Sequence, residues 1–207
     1  MNNLQGSNEW FQQRLGKVTA SVIHKLLSDK ATISRKLLLK SLVMERISGT
    51  PTRHVKSSDM QRGLNLEPKA IEAYENQTQQ KIVNVGFIAH PNIEMAGASP
   101  DGLIENMGLI EIKCLNLHNH NQIIKSKKIP KQYFNQIQFQ LACTKREWAD
   151  FVAFHPEADH ILYIERVYPD TNVIQWINDK VRIFLCEVDK LYLQQKKSNL
   201  SALHQYI

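Results

Sequence analysis

The sequence predicts an α/β or α+β fold in which helices flank a mixed central sheet. Apolar residues recur at intervals of three and four in residues 1–80, alternate or form short blocks in residues 81–168, and return to the helical interval from residue 169. The chain has 207 residues, 43% of them hydrophobic, which is enough for one domain with a full core. We therefore expect a single domain over residues 1–207, with a mainly helical part (1–80), a sheet core (81–168), and a closing helix and tail (169–207).

Three helical segments are expected in the first part of the chain. Thr19 is a candidate N-cap of a helix in residues 19–28 (TASVIHKLLS), since its hydroxyl can accept a hydrogen bond from a backbone amide. Residues 33–48 repeat apolar side chains at helical intervals, and the glycine and proline that follow end this helix. Residues 58–78 look like two helical pieces, because Pro68 suits the first turn of a helix. Glu67 is then expected at the start of the second piece.

The middle of the chain changes to the period of strands. A turn centred on Asn106 joins two antiparallel strands in this prediction, and Asp101 then lies almost opposite Glu111. Pro130 is expected to open a helix that crosses the sheet. The other predicted elements are strands at 81–90, 148–155 and 160–168 and a long helix at about 171–197.

Charge and cysteine content narrow the class of protein. The net charge is +6, and two basic segments, 1–60 and 111–150, flank an acidic one at 61–110. This distribution suits a polyanion-binding protein with a carboxylate-rich site, although a solvated basic surface gives the same pattern. Three cysteines without a CxxC spacing argue against a disulfide framework or a four-cysteine metal site, and they favour a reducing cytoplasm. The sequence shows neither a transmembrane-length apolar run nor a signal-peptide pattern.

Segment 108–115 places two charged side chains in an otherwise apolar strand. Glu111 and Lys113 share one face, and the apolar residues on either side of them face the core. An edge strand with a solvated face gives the same alternation, but the strands predicted on both sides favour a central position. Two converging carboxylates, Asp101 and Glu111, repel each other unless a cation lies between them. Hard oxygen ligands suit Mg²⁺ or Mn²⁺, so the segment predicts a metal site for phosphodiester hydrolysis.

Several short motifs carry a resemblance to a known family. The tripeptides at 99–101 (Ser-Pro-Asp) and 111–113 (Glu-Ile-Lys) resemble the PD-(D/E)xK nuclease motif. Residues 8–21 (NEWFQQRLGKVTAS), 62–68 (RGLNLEP) and 133–139 (YFNQIQF) are similar to motifs of the lambda-type phage exonucleases, the YqaJ-like viral recombinases. The four motifs occur in the family's order, and the resemblance implies a restriction-endonuclease-like core.

The resemblance implies a Mg²⁺-dependent exonuclease that degrades one strand of duplex DNA from its 5′ end and leaves a 3′ single-stranded overhang for recombination. Two metal ions are implied, and Mn²⁺ is expected to substitute for Mg²⁺. Lys113 would activate the attacking water or stabilise charge, Glu67 would add an acidic group, and Gln136 would hold the metal-bound water or the neighbouring strand. The implied metal ligands are Asp101, Glu111 and the backbone carbonyl of Ile112.

Phosphate contacts are implied for the first motif. Arg14 and Ser21 would bind phosphate, with Arg14 reading a terminal 5′-phosphate, and Lys17 and Thr19 add donors that suit phosphate. The resemblance also implies DNA ends as substrate, a trimeric ring, a single-strand annealing partner, and a phage or prophage origin in a bacterial cytoplasm. A basic rim for the DNA backbone is expected from Lys125, Lys127, Lys128 and Lys131.

Simpler interpretations of these residues stay open at this point. Arg14, beside Trp10 and Phe11, could be a stacking or a surface arginine. Glu67 could favour a helix N-terminus through the dipole, and Gln136 with Gln140 could form a solvated helix face. The whole chain could also be a PD-(D/E)xK endonuclease that cuts restriction sites or DNA junctions. A non-catalytic DNA-binding module is the third alternative, but its carboxylates would repel phosphates unless a metal intervened.

Overall fold

The computed structural model describes residues 5–52 and 57–204, with side chains to residue 198. The helices are α1 (Asn8–Arg14), α2 (Ile23–Leu26), α3 (Ile33–Ser48), α4 (Ser58–Thr78), α5 (Leu117–Ser126), α6 (Lys131–Thr144) and α7 (Thr171–His204). The strands are β1 (Val18–Thr19), β2 (Ile82–Val83), β3 (Ile88–Ala89), β4 (Ala96–Ala98), β5 (Gly102–Ile104), β6 (Gly108–Cys114), β7 (Trp148–Phe154) and β8 (Leu162–Val167). Within the described ranges, no helix is both long and apolar enough to cross a membrane.

The strands form two sheets. The larger has the order β2-β5-β6-β7-β8, and β6 pairs with β7 in parallel while the other neighbours are antiparallel. The smaller has the order β1-β4-β3, with β1 parallel to β4. The parallel β6–β7 pair requires a crossover, which α5 and α6 supply. This mixed sheet with flanking helices confirms the predicted fold class.

Helices cover both faces of the larger sheet. On one face, Tyr74 and Ala70 of α4 pack against Ile110, Ile112 and other residues of β6 and β7. On the other face, Ile123 of α5 and residues of α6 pack against Leu109 and Phe151. A third cluster joins α3, α6 and α7. Because β6 lies between β5 and β7 and under helices on both faces, its charged residues lie inside the molecule and not at a solvated edge.

Most predicted elements are present. The helix at 33–48 ends at Gly49, whose φ of 66° is the left-handed conformation that glycine favours. The hairpin, the helix after Pro130 and both strands of the β7–β8 pair agree with the prediction. The last helix is longer than predicted and reaches His204. Residues 1–4, 53–56 and 205–207 belong to the predicted domain but lie outside the described residues, and the single domain stays a prediction.

The prediction of two helical pieces over residues 58–78 is wrong, because α4 runs unbroken through Pro68. A proline inside a helix loses the hydrogen bond to the residue four positions earlier, here Leu64. Pro68 and Leu64 are exposed, so water can solvate the freed carbonyl, and the ring does not enter the core. Packing of Ala70 and Tyr74 on the sheet holds the second half of the helix in line with the first.

Residues 81–90 form two short strands where the sequence predicts one. Ile82 and Val83 pair with β5 of the larger sheet, whereas Ile88 and Ala89 pair with β4 of the smaller sheet. The chain therefore passes from one sheet to the other between residues 84 and 87. Its apolar alternation continues through this passage, which hides the change from a sequence-based prediction.

The segment after Thr19 also departs from the prediction. Thr19 precedes a short 3-10 turn, Ala20–Val22, and its side chain makes no capping hydrogen bond. Its hydroxyl instead contacts the side chains of Arg14 and Ser21. Strand β1 and helix α5 were not predicted: β1 has only two residues, and α5 carries few apolar side chains.

Candidate active site

The β5–β6 hairpin sets the geometry of the site. Gly102 pairs with Ile110 and Ile104 with Gly108, so the register continues to place Asp101 opposite Glu111. This confirms the register expected from a turn centred on residue 106. The Ile112 amide donates to Asp101 Oδ2 at 2.6 Å, which fixes this carboxylate against the backbone of β6.

Glu111 is an almost fully buried carboxylate held by three donors. Its side chain is 1% exposed, and Lys113 Nζ and Gln136 Nε2 both donate to Oε1. Gln140 Nε2 donates to Oε2. Since α6 packs over this face of β6, both glutamines point at the sheet, and the alternative of a solvated helix face is wrong. Charge-assisted hydrogen bonds of this kind stabilise the ionised carboxylate.

Gln140 is a site residue that the sequence interpretation did not single out. It is fully buried, and its Oε1 has no hydrogen-bond partner among the described residues. The orientation of its amide is set by Glu111, because only the NH₂ group can face a carboxylate. Its spacing of four residues from Gln136 predicted that both side chains share one face of the helix. The neighbouring sequence did not indicate that this face packs against the sheet.

Lys113 lies between the carboxylates and an aromatic ring. Its side chain is 24% exposed, its Nζ lies 5.3 Å from the centroid of the Tyr133 ring, and it pairs with Glu111. Burial alone lowers the pKa of Lys113, but the Glu111 and Asp101 carboxylates outweigh burial and raise it above its ordinary value. A lysine that stays protonated favours charge stabilisation over the deprotonation of water.

Two further carboxylates lie near this pair. Burial, followed by repulsion from Glu111, raises the pKa of Asp101 well above its usual range, and the same two causes raise the pKa of Glu67. Glu67 and Asp101 line a common cavity of about 260 Å³. Glu67 lies in the middle of α4, so the alternative that it serves a helix N-terminus is wrong. When all three carboxyl groups are ionised, their negative charge exceeds the positive charge of Lys113, so a further cation would favour the ionised forms of Asp101 and Glu67.

The donor chemistry of the site fits a small hard cation. Among the described residues, no group of three or more His, Cys, Asp and Glu side chains is arranged to hold a metal ion. Mg²⁺, however, usually takes one or two carboxylates and completes its shell with water and substrate phosphate. Asp101 and Glu111 supply two carboxylates, the Ile112 carbonyl is a further hard oxygen, and the excess charge favours a cation. The residues present therefore fit Mg²⁺ or Mn²⁺.

A second polar cluster surrounds Arg14. Its guanidinium donates to Ser99 Oγ at 3.0 Å and to Thr19 Oγ1 at 3.4 Å, and it stacks on the Trp10 ring at 4.1 Å. Thr19 Oγ1 lies 3.3 Å from Ser21 Oγ. Burial lowers the pKa of Arg14 to about 10, opposed by attraction from Glu45. Arg14 is therefore half-buried and not a surface residue, but the alternative of a stacking arginine is confirmed. Within the described part of the chain, only neutral groups hydrogen-bond its guanidinium.

Ser99 connects this cluster to the carboxylates. Trp10 Nε1 also donates to Ser99 Oγ, at 2.9 Å, and Asp101 follows two residues later. The sequence interpretation used Ser99 only as part of a motif, although its position just before Asp101 was a usable signal. Lys17 contacts the Phe87 ring instead, with its Nζ 5.1 Å from the ring centroid.

Comparison with known proteins places this arrangement in a family. A model of the YqaJ-like viral recombinase domain matches residues 9–147. The alkaline exonuclease LHK-Exo from Laribacter hongkongensis is 37% identical, with a TM-score of 0.86 over 95% of this chain and 100% of that one. A structure of LHK-Exo in complex with dAMP gives a TM-score of 0.88 at the same identity and coverage.

A phage-related exonuclease from Haemophilus somnus 129PT shares the fold, with a TM-score of 0.63 at 17% identity over 86% of this chain and 96% of that one. A comparison with curated protein sequences gave no match. The family match covers the hairpin, α4, α6 and the Arg14 cluster, and the fold agrees with that of the PD-(D/E)xK-type alkaline exonucleases. The chain therefore belongs to the YqaJ-like viral recombinase domain family, and its likeness to an alkaline exonuclease indicates a nuclease.

Proposed function

We propose that this protein is a Mg²⁺-dependent 5′-to-3′ exonuclease that acts on the ends of double-stranded DNA and leaves a 3′ single-stranded overhang for phage-type recombination. The observation that carries the proposal is the link between the two polar clusters through Ser99 and Asp101. Arg14 is a half-buried cation that, among the described residues, hydrogen-bonds only neutral groups, and such a cation suits a phosphate. Its position beside the carboxylates favours recognition of a strand terminus over cleavage inside a duplex.

In this proposal the carboxylates of Asp101 and Glu111, with the Ile112 carbonyl, hold Mg²⁺, with two ions expected and Mn²⁺ able to substitute. The metal, when bound, lowers the pKa of a coordinated water and offsets the charge of the scissile phosphate. Gln136 and Gln140 fix the Glu111 carboxylate in one orientation. Protonated Lys113 stabilises negative charge that develops on the phosphate.

The Arg14 cluster supports the proposed strand polarity. Arg14 binds a terminal 5′-phosphate together with the hydroxyls of Ser21, Thr19 and Ser99, and Lys17 adds positive charge nearby. Glu67 contributes a further acidic group at the cavity that it shares with Asp101. The bound dAMP of LHK-Exo supports a site of nucleotide size in this family.

The assembly and setting of the enzyme are also part of the proposal. A trimeric ring around DNA would keep the substrate between successive cuts, and a single-strand annealing protein would receive the overhang. The enzyme would act in the cytoplasm of a bacterial host, encoded by a phage or prophage. These points are supported by membership of a family of viral recombinases.

Digestion of labelled linear duplexes with either a 5′-phosphate or a 5′-hydroxyl end tests the function. With Mg²⁺ we expect nucleotide release that EDTA and Glu111→Ala abolish, while Glu72→Ala, an exposed change on α4, serves as the matched control. Arg14→Gln should reduce the preference for the phosphorylated end by about 10- to 100-fold, the worth of hydrogen bonds to a charged group. Activity that persists in EDTA contradicts the proposal, and cleavage of a closed circular duplex indicates an endonuclease instead.

A further inference from the structure

One side chain that the proposed chemistry leaves unused reaches the cavity of the carboxylates. Gln5 Nε2 donates to the Pro100 carbonyl at 2.7 Å and makes a longer contact with the Val85 carbonyl at 3.4 Å. Gln5 also belongs to the lining of the cavity that contains Glu67 and Asp101. An amide NH₂ group has two hydrogens, so it can serve both carbonyls, and the shorter hydrogen bond is the stronger one.

The Pro100 carbonyl lies between the two sheets. β4 of the smaller sheet ends at Ala98 and β5 of the larger sheet begins at Gly102, so residues 99–101 carry the chain from one sheet to the other. A carbonyl in such a passage is not assured of a partner in a strand ladder, and a buried carbonyl without a partner is costly. Pro100 is buried, and among the described residues only Gln5 donates to its carbonyl.

This carbonyl shares a planar peptide group with the amide of Asp101. The peptide bond between Pro100 and Asp101 is trans, so the C=O and the N–H point in opposite directions from one rigid plane. Gln5 holds the carbonyl edge, and the Asp101 amide donates to the Ile110 carbonyl at 3.2 Å on the other edge. Fixing this plane restricts the φ angle of Asp101, and hence the direction in which its side chain leaves the backbone.

The carboxylate end of Asp101 is held separately. Its Oδ2 accepts from the Ile112 amide at 2.6 Å, and within the described part of the chain this is the carboxylate's single hydrogen bond. Oδ1 is therefore the oxygen that remains for a cation. Mg²⁺ demands near-ideal octahedral geometry, so a small rotation of one ligand lowers its affinity. Groups that orient a metal ligand typically contribute 10- to 100-fold to metal affinity or activity.

The local sequence allows Gln5 to reach this peptide group. Gly6 has a φ of 87°, in the left-handed region that glycine favours, and no atom lies within 4 Å of the position that a Cβ would take. The next residue, Ser7, accepts a hydrogen bond from the Trp10 amide and caps α1. The turn at Gly6 thus joins the start of α1 to a side chain that lies on Pro100.

We propose that Gln5 is a positioning residue for the cation site: its amide holds the peptide group between Pro100 and Asp101 and so keeps the Asp101 carboxylate directed at the cation. The inference rests on the proposed function for the role of Asp101 as a metal ligand. Because Gln5 is exposed and donates a neutral hydrogen bond, its loss should alter the direction of one ligand more than the stability of the fold.

Gln5→Met tests this role, because it removes both N–H donors without a change of charge. Binding of Mn²⁺ to the protein without DNA, measured by calorimetry, should weaken about tenfold. Exchange of the Asp101 amide hydrogen, followed by NMR on the metal-free protein, should become about fivefold faster, the factor that corresponds to one neutral hydrogen bond. The midpoint of urea denaturation should stay near that of the unaltered protein.

Gln12→Met, the same change at an exposed position of α1, is the matched control and should leave Mn²⁺ affinity and Asp101 amide exchange unchanged. Equal Mn²⁺ affinities in the two variants would overturn the inference, whether or not the Asp101 amide exchanges faster in Gln5→Met. A loss of Mn²⁺ affinity that accompanies a large fall in the denaturation midpoint would also overturn it, because Gln5 would then act through the stability of the fold.

Asp101→Asn separates this inference from the proposed function. If Asp101→Asn binds Mn²⁺ as tightly as the unaltered protein, both the proposed metal site and the role of Gln5 are rejected. If Asp101→Asn weakens Mn²⁺ binding and Gln5→Met does not, only the positioning role is rejected. Weaker Mn²⁺ binding in both variants, in a protein that does not digest duplex ends, rejects the function and keeps the positioning role.

Discussion

Two buried carboxylates on neighbouring strands differ in how completely their charge is compensated. Asp150 of β7 is 1% exposed and accepts from Arg166 Nε at 2.8 Å, from Arg166 Nη2 at 2.9 Å and from the Tyr74 hydroxyl at 2.6 Å. The Arg166 guanidinium lies 3.6 Å from the centroid of the Trp148 ring. A bidentate arginine and a hydroxyl satisfy this carboxylate, and no further charge is needed.

Glu111 of β6 is buried to the same degree but compensated less. One ammonium, that of Lys113, is shared among Glu111, Asp101 and Glu67, and the other donors to Glu111 are neutral amides. The pair Asp150–Arg166 therefore compensates its own charge, whereas the ionised carboxylates of the Glu111 cluster exceed the charge of Lys113 and would be balanced by an added cation. Incomplete compensation is what distinguishes the candidate site from a structural ion pair.

The largest expected effect is loss of activity in Glu111→Gln. Removal of one negative charge from the metal site should lower nuclease activity by at least about 10³-fold. Stability should change little, because the Gln140 amide can rotate and offer its unpartnered Oε1 to the new NH₂ group. Activity assays and urea denaturation of the same preparations check both points. A variant that unfolds readily would show that Glu111 is structural after all.

Asp150→Asn should show the opposite pattern. The new NH₂ group faces an Arg166 N–H in either orientation of the amide, and a guanidinium cannot accept a hydrogen bond. The Tyr74 hydroxyl can adapt by donating to Gln80 Oε1 instead. We expect the free energy of unfolding to fall by about 2–4 kcal/mol, the cost of breaking a buried charged hydrogen-bond network. Activity per folded molecule should stay near normal. If Asp150→Asn loses activity but keeps its full stability, Asp150 does not differ from Glu111 in the way proposed here.

Part of the surroundings of Glu111 could be predicted from the sequence. The period of the strand and the turn near Asn106 are local, and together they predicted that Asp101 lies opposite Glu111. The contacts that complete the site are not local: Arg14 meets Ser99 across 85 positions, and Gln140 meets Glu111 across 29. No periodicity encodes such pairs, since they depend on how α1 and α6 dock on the sheets.

The burial of Asp150 and its hydrogen-bond partners could not be predicted from the sequence. Its partners come from α4 and β8, and nothing near Asp150 in the sequence distinguishes it from a solvated aspartate. The same long-range packing carries α4 through Pro68, where the local rule predicted a break. Local chemistry thus predicts turns and periods, while burial of a polar group is decided by elements far apart in the chain.

Two glutamines on α6 allow a smaller test within one helix. Gln140→Leu removes a donor to Glu111 and should reduce activity by about 10- to 100-fold, as is usual for groups that orient a metal ligand. Direct Mn²⁺ binding, measured by calorimetry, should weaken in parallel. Gln138→Leu is the matched change, because Gln138 bonds to the Tyr168 carbonyl and the Asp170 amide and not to Glu111. It should lower stability and leave Mn²⁺ affinity unchanged; equal Mn²⁺ affinities in both variants contradict a positioning role for Gln140.

The smallest effect is expected at Glu187, a partly exposed carboxylate that can be compared with the buried carboxylates of Glu111 and Asp150. Hydrogen bonds from Arg35 at 3.0 Å lower the pKa of Glu187, with burial opposing them and Lys30 assisting. A carboxylate whose pKa is lowered by folding stabilises the protein above its unfolded pKa, near 4.5, and loses this contribution as the pH falls through the lowered value. Glu187→Gln should therefore cost about 1 kcal/mol at pH 7, since Arg35 is buried but the amide oxygen can still accept one of its hydrogen bonds, and the difference from the unaltered protein should vanish in acid. Denaturant titrations at both pH values measure the difference, with exposed Glu72→Gln as the control that should change stability little at either pH. If Glu187→Gln lowers the free energy of unfolding at pH 7 as much as Asp150→Asn does, burial of the carboxylate does not determine how much each substitution destabilises the protein.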